Sequence, residues 1–224
     1  MILGKSRFYR LWKNWFSTTL KRRRFERIME LAGLQAREEY RILEVGCANG
    51  KDVIQFLRDR PEYRVTGLDL RDEHIRQENF CFVQGDAQSL PFEDKSFDLV
   101  ISVGLLEHIE PIEKLCRAVR EINRVGKSYV CVVPSVSSLV EPHCGSARFP
   151  FRLHRKMIEK YHRIPLRLNY FTEHTWSKFL GFRECDIEKK FYLFPFIQNT
   201  FIYKSYRKTE AVQDEKCAAG HTEW

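Results

Sequence analysis

The chain reads as a doubly wound α/β fold: one mostly parallel sheet, an antiparallel strand at its C-terminal end, and helices on both faces. Three observations predict it. Short apolar runs alternate with polar, helix-patterned segments from Tyr40 to Pro134, the rhythm of successive βαβ units whose strands are buried on both sides. A turn of small residues, "GCANG", leaves the first of these runs, at the place where an open parallel sheet binds its ligands. Near the end, two strand-like runs stand close enough in sequence to pair antiparallel.

The elements follow in order. Over the first forty residues Phe8, Leu11, Trp12, Trp15 and Phe16 interleave with basic side chains at three- and four-residue steps, as one face of a helix requires. Residues 1–39 are therefore read as a basic, aromatic helical arm or lid, and 40–208 as the domain itself. "RILEV" is the first strand and "KDVIQFLRDR" the helix after it. "YRVTGLDL", "FCFVQGD" and "SFDLVISVG" are the next three strands, and the helix "PIEKLCRAVREINRV" leads into a fifth, "KSYVCVVP". After Pro134 the rhythm breaks, and residues 135–170 form a substrate-side insert rich in Pro, Arg, His and aromatics. "TEHTWSKFLGF" gives a short helix with Thr172 as its cap and Gly181 as its stop. "RECDIEKKFYLF" and "NTFIYKSY" form the antiparallel pair, and the polar tail 209–224 is read as disordered.

Composition removes several classes. The 224 residues are 43% apolar, enough for one substantial core. No stretch reaches the roughly 18 uncharged apolar residues of a membrane-spanning helix, and the start alternates charge with bulk, unlike a secretory signal. Seven cysteines without a CxxC spacing fit a reduced, cytoplasmic setting better than a disulfide framework. Charge is concentrated: residues 1–27 hold nine Lys or Arg against the single acid Glu26, which equals the net +8 of the whole chain. Such a label speaks about partners rather than about fold.

The first turn narrows the ligand. Gly46 and Gly50 allow close backbone approach and leave amide donors at the start of the next helix. A dinucleotide fingerprint needs glycines where Ala48 and Lys51 stand, and a P-loop needs a hydroxyl where Asp52 follows Lys51. The pattern that fits is E-x-G-x-[GA]-x-G, with Glu44 poised for a ligand that carries positive charge.

On these residues the chain resembles the class I S-adenosylmethionine-dependent methyltransferases, in the group that includes small-molecule and quinone or lipid methylators. The resemblance covers about Tyr40 to Pro134, with a weaker echo at "NYFTEHTWSKFLGF". "LEVGCANG" is similar to the first motif, with Ala48 where a glycine is commonest. "VTGLDL", "VQGDAQSLPF" and "LPFEDKSFDLVISVGLLEHI" are similar to the next three. The resemblance implies a Rossmann-like domain that binds S-adenosyl-L-methionine through Glu44, Gly46, Cys47, Ala48, Gly50, Asp69, Leu70, Asp86, Ala87 and Val103. In it Asp69 accepts from both ribose hydroxyls and Asp86 from the adenine's exocyclic amine. Glu44, with backbone carbonyls near Gly46 and Val103, faces the methionine ammonium and the sulfonium.

Methyl transfer is an in-line displacement that asks mainly for alignment and water exclusion. His108 and His143 are the candidate general bases for a hydroxyl acceptor. Cys144 beside His143 has no second ligand pair, so no metal is expected. Seven Arg or Lys lie between Arg148 and Arg167 against the single acid Glu159. With the arm, they predict an anionic acceptor or an anionic surface that carries it. The expected reaction is methylation of a small, lipid-linked or saccharide-type acceptor. Trp12, Trp15 and Phe16 beside "KRRR" would touch the inner membrane face peripherally. Two alternatives stay open: an RNA methyltransferase whose arm contacts phosphates, and a catalytically silent cofactor-binding partner protein. Against RNA stands the absence of an N-P-P-Y-like motif after the fourth strand.

Overall fold

The computed structural model describes residues 7–34, 39–57, 60, 62–71, 76–135, 169, 171–178, 182, 185–193 and 197–206. A long helix, α1 (Arg7–Ala32), precedes β1 (Tyr40–Val45), α2 (Lys51–Leu57), β2 (Tyr63–Asp69), β3 (Arg76–Gln77) and β4 (Phe80–Gln84). Then come β5 (Phe97–Val103), a 3-10 turn (Leu106–His108), α3 (Ile112–Val125) and β6 (Gly126–Pro134). The last elements are α4 (Glu173–Lys178), β7 (Asp186–Leu193) and β8 (Ile197–Lys204).

The eight strands form one sheet in the order β3-β4-β2-β1-β5-β6-β8-β7. β1 runs parallel to β2 and β5, β2 to β4, and β5 to β6. β8 is antiparallel to both β6 and β7, and β3 to β4. The chain turns from one side of β1 to the other after β4, so a crevice opens at the carboxyl ends of β1 and its neighbours. The five parallel strands and the C-terminal antiparallel pair agree with the sequence reading. β3 was not anticipated; two residues carry no periodic signal.

Period-two alternation sorts the strand residues onto two cores. Leu43 and Val45 of β1, Val100 of β5 and Cys131 of β6 join α3 and Trp176 of α4 on one face. Ile42, Leu99, Ile101, Val130 and Val132 join α1 and Val53 of α2 on the other. α3 buries Leu115, Ala118, Val119, Ile122 and Val125, one stripe at helical spacing. α1 buries Phe25, Ile28, Leu31 and Ala32, and Phe25 stacks on Phe56 with ring centroids 5.1 Å apart.

Charged contacts also seat α1, one before this stripe and one within it. Lys21 pairs with Asp52 of α2 at 2.8 Å. Arg27 pairs with Glu188 of β7 and, on its own helix, with Glu30. Thr172 acts as the cap of α4, its hydroxyl accepting from the amide of Thr175 at 3.4 Å. Gly181, most of the insert (136–168), the tail from 207 onward and the side chains of Phe8, Leu11, Trp12, Trp15 and Phe16 lie outside the described residues. Among the described residues no helix is long and apolar enough to cross a membrane.

Candidate functional site

The crevice is a cavity of about 300 Å³. Its wall is built from the turn after β1 (Gly46), the end of β2 (Leu68, Asp69, Leu70), the loop after β4 (Gly85 to Gln88) and the turn after β5 (Leu105, His108, Ile109), with Glu110 and Lys114 beyond.

The β1 turn is shaped by positive φ angles. Gly46 has φ +80°, and a Cβ there would stand 2.9 Å from Leu105, so a side chain would fill the cradle. Its amide donates to the carbonyl of Leu68 at 2.8 Å, which ties the turn to the end of β2. Ala48 takes φ +48° without being glycine. Its amide donates to Asp69 Oδ2 at 2.9 Å, while Asp69 Oδ1 accepts from the amide of Arg71 at 3.2 Å. The acid that ends β2 therefore closes the turn that leaves β1. Beside it Leu70 is 67% exposed, an apolar surface left open on the cavity wall. Asp86 accepts from the amide of Gln88 at 2.9 Å and from its side-chain nitrogen.

Glu44 has a different setting. It is 6% exposed, on the α1 face of the sheet, and its Oε2 has no hydrogen-bond partner. Burial pushes its pKa up to about 8; Arg24 of α1 pulls it down and Asp52 of α2 adds to the rise.

Of the residues read as candidates, Gly46, Asp69, Leu70, Asp86, Ala87 and His108 meet on the cavity wall. Ala48 stands exposed at the turn, and Gly50 (φ +63°) packs where a Cβ would meet the Phe80 ring at 2.7 Å. Cys47 is buried in the α1-side core, and Val103 is partly buried against that core. His143 lies outside the described residues. Among the described residues no group of three or more His, Cys, Asp or Glu is placed to hold a metal ion.

Sequence reading did not single out Gln88, Leu105, Ile109 or Lys114, which also line the wall. It also passed over two tethers. Asn169 donates from its amide to the carbonyl of Glu107 at 2.7 Å and from Nδ2 to the carbonyl of Ile109 at 2.6 Å. The Ser135 hydroxyl donates to Gln198 Oε1 at 2.9 Å. Both ends of the basic insert are thus held at the edge of the sheet where the cavity opens. Neither bond has a sequence signal, since each joins residues about sixty positions apart.

Residues 43–130 match the family model of a methyltransferase domain. The chain is 45% identical over 76 residues to the fatty-acid O-methyltransferase of Mycolicibacterium smegmatis, a match covering 30% of this chain and 27% of that protein. It is 41% identical over 73 residues to a probable phthiotriol/phenolphthiotriol dimycocerosates methyltransferase of Mycobacterium ulcerans, covering 28% and 27%. The chain thus spans about a quarter of the length of these relatives. A Methanosarcina mazei structure described as a SAM-dependent methyltransferase superposes with a TM-score of 0.55 at 20% identity, covering 76% of this chain and 94% of that one. A Thermotoga maritima structure, described as a possible histamine N-methyltransferase, gives 0.54 at 18% identity, covering 88% and 95%. At such identities the likeness speaks for the fold.

Proposed function

We propose that the chain is a class I S-adenosylmethionine-dependent methyltransferase, a reading supported by the match of residues 43–130 to a methyltransferase domain, and that it methylates a small, lipid-linked or saccharide-type acceptor bearing negative charge. The residues at the site fit the cofactor. Gly46 leaves a cradle that a Cβ would fill. Asp69 and Asp86 supply acceptors for the hydroxyls and the exocyclic amine of an adenosine. Leu70 offers an open apolar face to the base, and Glu44, buried in β1 and not itself on the cavity wall, keeps an unpartnered oxygen that suits an ammonium.

Once bound, the cofactor supplies a methyl group on a positively charged sulfur, with a neutral thioether as leaving group. The protein's own share is alignment. Asp69 keeps lone pairs for a ribose while it bridges to Ala48, so one carboxylate would hold both the ribose and the β1 turn. We assign His108 to the cofactor side, because it shares its wall with Asp86 and Lys114, and we keep His143 as the candidate base for an acceptor hydroxyl.

The acceptor reading is carried by the tethering of the insert. Seven cations against one acid leave and rejoin the domain beside the cavity, at Ser135 and Asn169. A negatively charged acceptor would meet them there. Relatives named for fatty-acid and phthiotriol dimycocerosate methylation support a lipid-like acceptor.

The test is transfer of radiolabelled methyl groups into a cell extract, followed by partition into organic solvent. Label in an acidic, solvent-extractable fraction, lost when Arg152, Arg155 and Lys156 are all changed to Gln, supports the proposal. Label in RNA, or none above an Asp69→Ala control, overturns it.

A further inference from the structure

We infer that Gln88, held in place by Arg117, is the positioning residue that sets what Asp86 can accept, and thereby makes the base pocket select a 6-amino over a 6-oxo purine. The inference rests on the reading of Asp86 as the acceptor for the base's exocyclic amine.

A carboxylate offers about four lone-pair positions, two on each oxygen. The amide of Gln88 donates to Asp86 Oδ1 at 2.9 Å, and Gln88 Nε2 donates to Oδ1 at 3.2 Å and to Oδ2 at 3.0 Å. Gln88 therefore fills both positions on Oδ1 and one on Oδ2, and a single position on Oδ2 is left for a ligand. Both residues line the cavity, and the inference gives that position to the base that binds there.

The orientation of the Gln88 side chain is settled by its partners. Arg117 Nη2 donates to Gln88 Oε1 at 3.0 Å, and a guanidinium has donors only. Asp86 on the other side accepts only. Turning the amide over would set donor against donor at Arg117 and oxygen against oxygen at Asp86. Arg117 itself is carried on α3 between residues that bury that helix against the sheet, Leu115, Ala118 and Val119.

Selection follows. A 6-amino group donates one N–H into the remaining position. A 6-oxo group brings a lone pair there instead, and Gln88 Nε2, the donor already seated on Asp86, is kept from turning to meet it by the bond from Arg117 to Gln88 Oε1.

Calorimetry of the full chain with S-adenosylhomocysteine and with its 6-oxo analogue, S-inosylhomocysteine, tests this through the ratio of the two Kd values. A loss of general pocket structure weakens both ligands and leaves the ratio alone. The wild type should prefer the amino form by about ten- to a hundredfold, the range expected of one hydrogen bond to a charged group. Asp86→Ala should bring the ratio to about one. Gln88→Leu and Arg117→Met should each lower it about fivefold or more; the second alters an exposed side chain and leaves the pocket residues in place. If Asp86→Ala flattens the ratio but either of the other two variants keeps it, the Gln88 inference is overturned and the reading of Asp86 stands. If the wild type shows no preference, or Asp86→Ala keeps one, the reading of Asp86 falls and takes the inference with it.

Discussion

At Glu44 a carboxyl sits 6% exposed between β1 and α1, and burial pushes its pKa up to about 8 despite the pull of Arg24. The folded value lies above the ordinary carboxylate value of 4.5, so folding takes up a proton. The stability this gives is fully present below about pH 4.5 and is lost as pH rises towards 8. Glu44→Gln keeps the shape and removes the titration. Urea unfolding should find the variant about equal to wild type near pH 5 and more stable near pH 8, by on the order of a few kcal/mol. A cation bound beside Glu44 would ionise it. Titration with S-adenosylhomocysteine near pH 7 should therefore release close to one proton, seen as a calorimetric heat that depends on the buffer, and Glu44→Gln should abolish that dependence. Ala48 invites a second test at this scale. Its φ of +48° costs an L-residue about 1–2 kcal/mol. Ala48→Gly should stabilise the protein by about 0.5–1 kcal/mol after allowing for glycine's greater freedom in the unfolded chain. The turn itself was legible from its glycine spacing. What could not be read was that Asp69, 21 residues further on, is a bond partner of Ala48, because that pairing exists only once β2 lies beside β1.

Among the elements, α1 shows how a charge run conceals packing. Its basic residues read as a label for partners, yet Lys21 and Arg27 are spent within the fold on Asp52, Glu30 and Glu188. The stripe Phe25, Ile28, Leu31 and Ala32 was passed over because the "KRRR" before it dominates the window. A helix needs only one apolar face, and three of four consecutive residues always point elsewhere. Phe25→Ala should cost about 3–5 kcal/mol in chemical denaturation, the usual range for a buried phenylalanine. The same packing decides how the proposed membrane contact is to be probed. Removing residues 1–27 would take Phe25 out of the core and confound the result, whereas removing 1–18 leaves the docked turns intact. The shorter deletion should lower co-sedimentation with vesicles rich in anionic lipid while S-adenosylhomocysteine still binds with its original Kd. Unchanged sedimentation would discard the contact.

Across the whole molecule, the strand order brings the ends of β1, β2, β4, β5 and β6 to one edge, and the cavity lined by Gly46, Asp69, Asp86 and His108 lies there. That much was legible because each parallel strand announces itself locally, by an apolar run and the turn beside it. The acceptor side was not: the segment read for it lacks periodicity, and the described bonds at its flanks, Asn169 to Ile109 and Ser135 to Gln198, join residues about sixty positions apart. Their joint consequence is electrostatic. Residues 148–167 hold seven cations and one acid, and under the proposed function their field would act on an acceptor that approaches the cavity. Attraction of that kind is screened over about 8–10 Å at ordinary ionic strength. The KM for a charged acceptor should therefore rise several-fold between about 50 and about 300 mM salt, while kcat stays level. In the triple variant of Arg152, Arg155 and Lys156 to Gln, KM should start high and respond little to salt. The Kd for S-adenosylhomocysteine should stay within about twofold of wild type, because the proposed nucleoside contacts, Asp69 and Asp86, do not include the cations of the insert. A KM indifferent both to salt and to the substitutions would mean that the acceptor is uncharged, and that the cations of the insert serve packing through their alkyl stems instead.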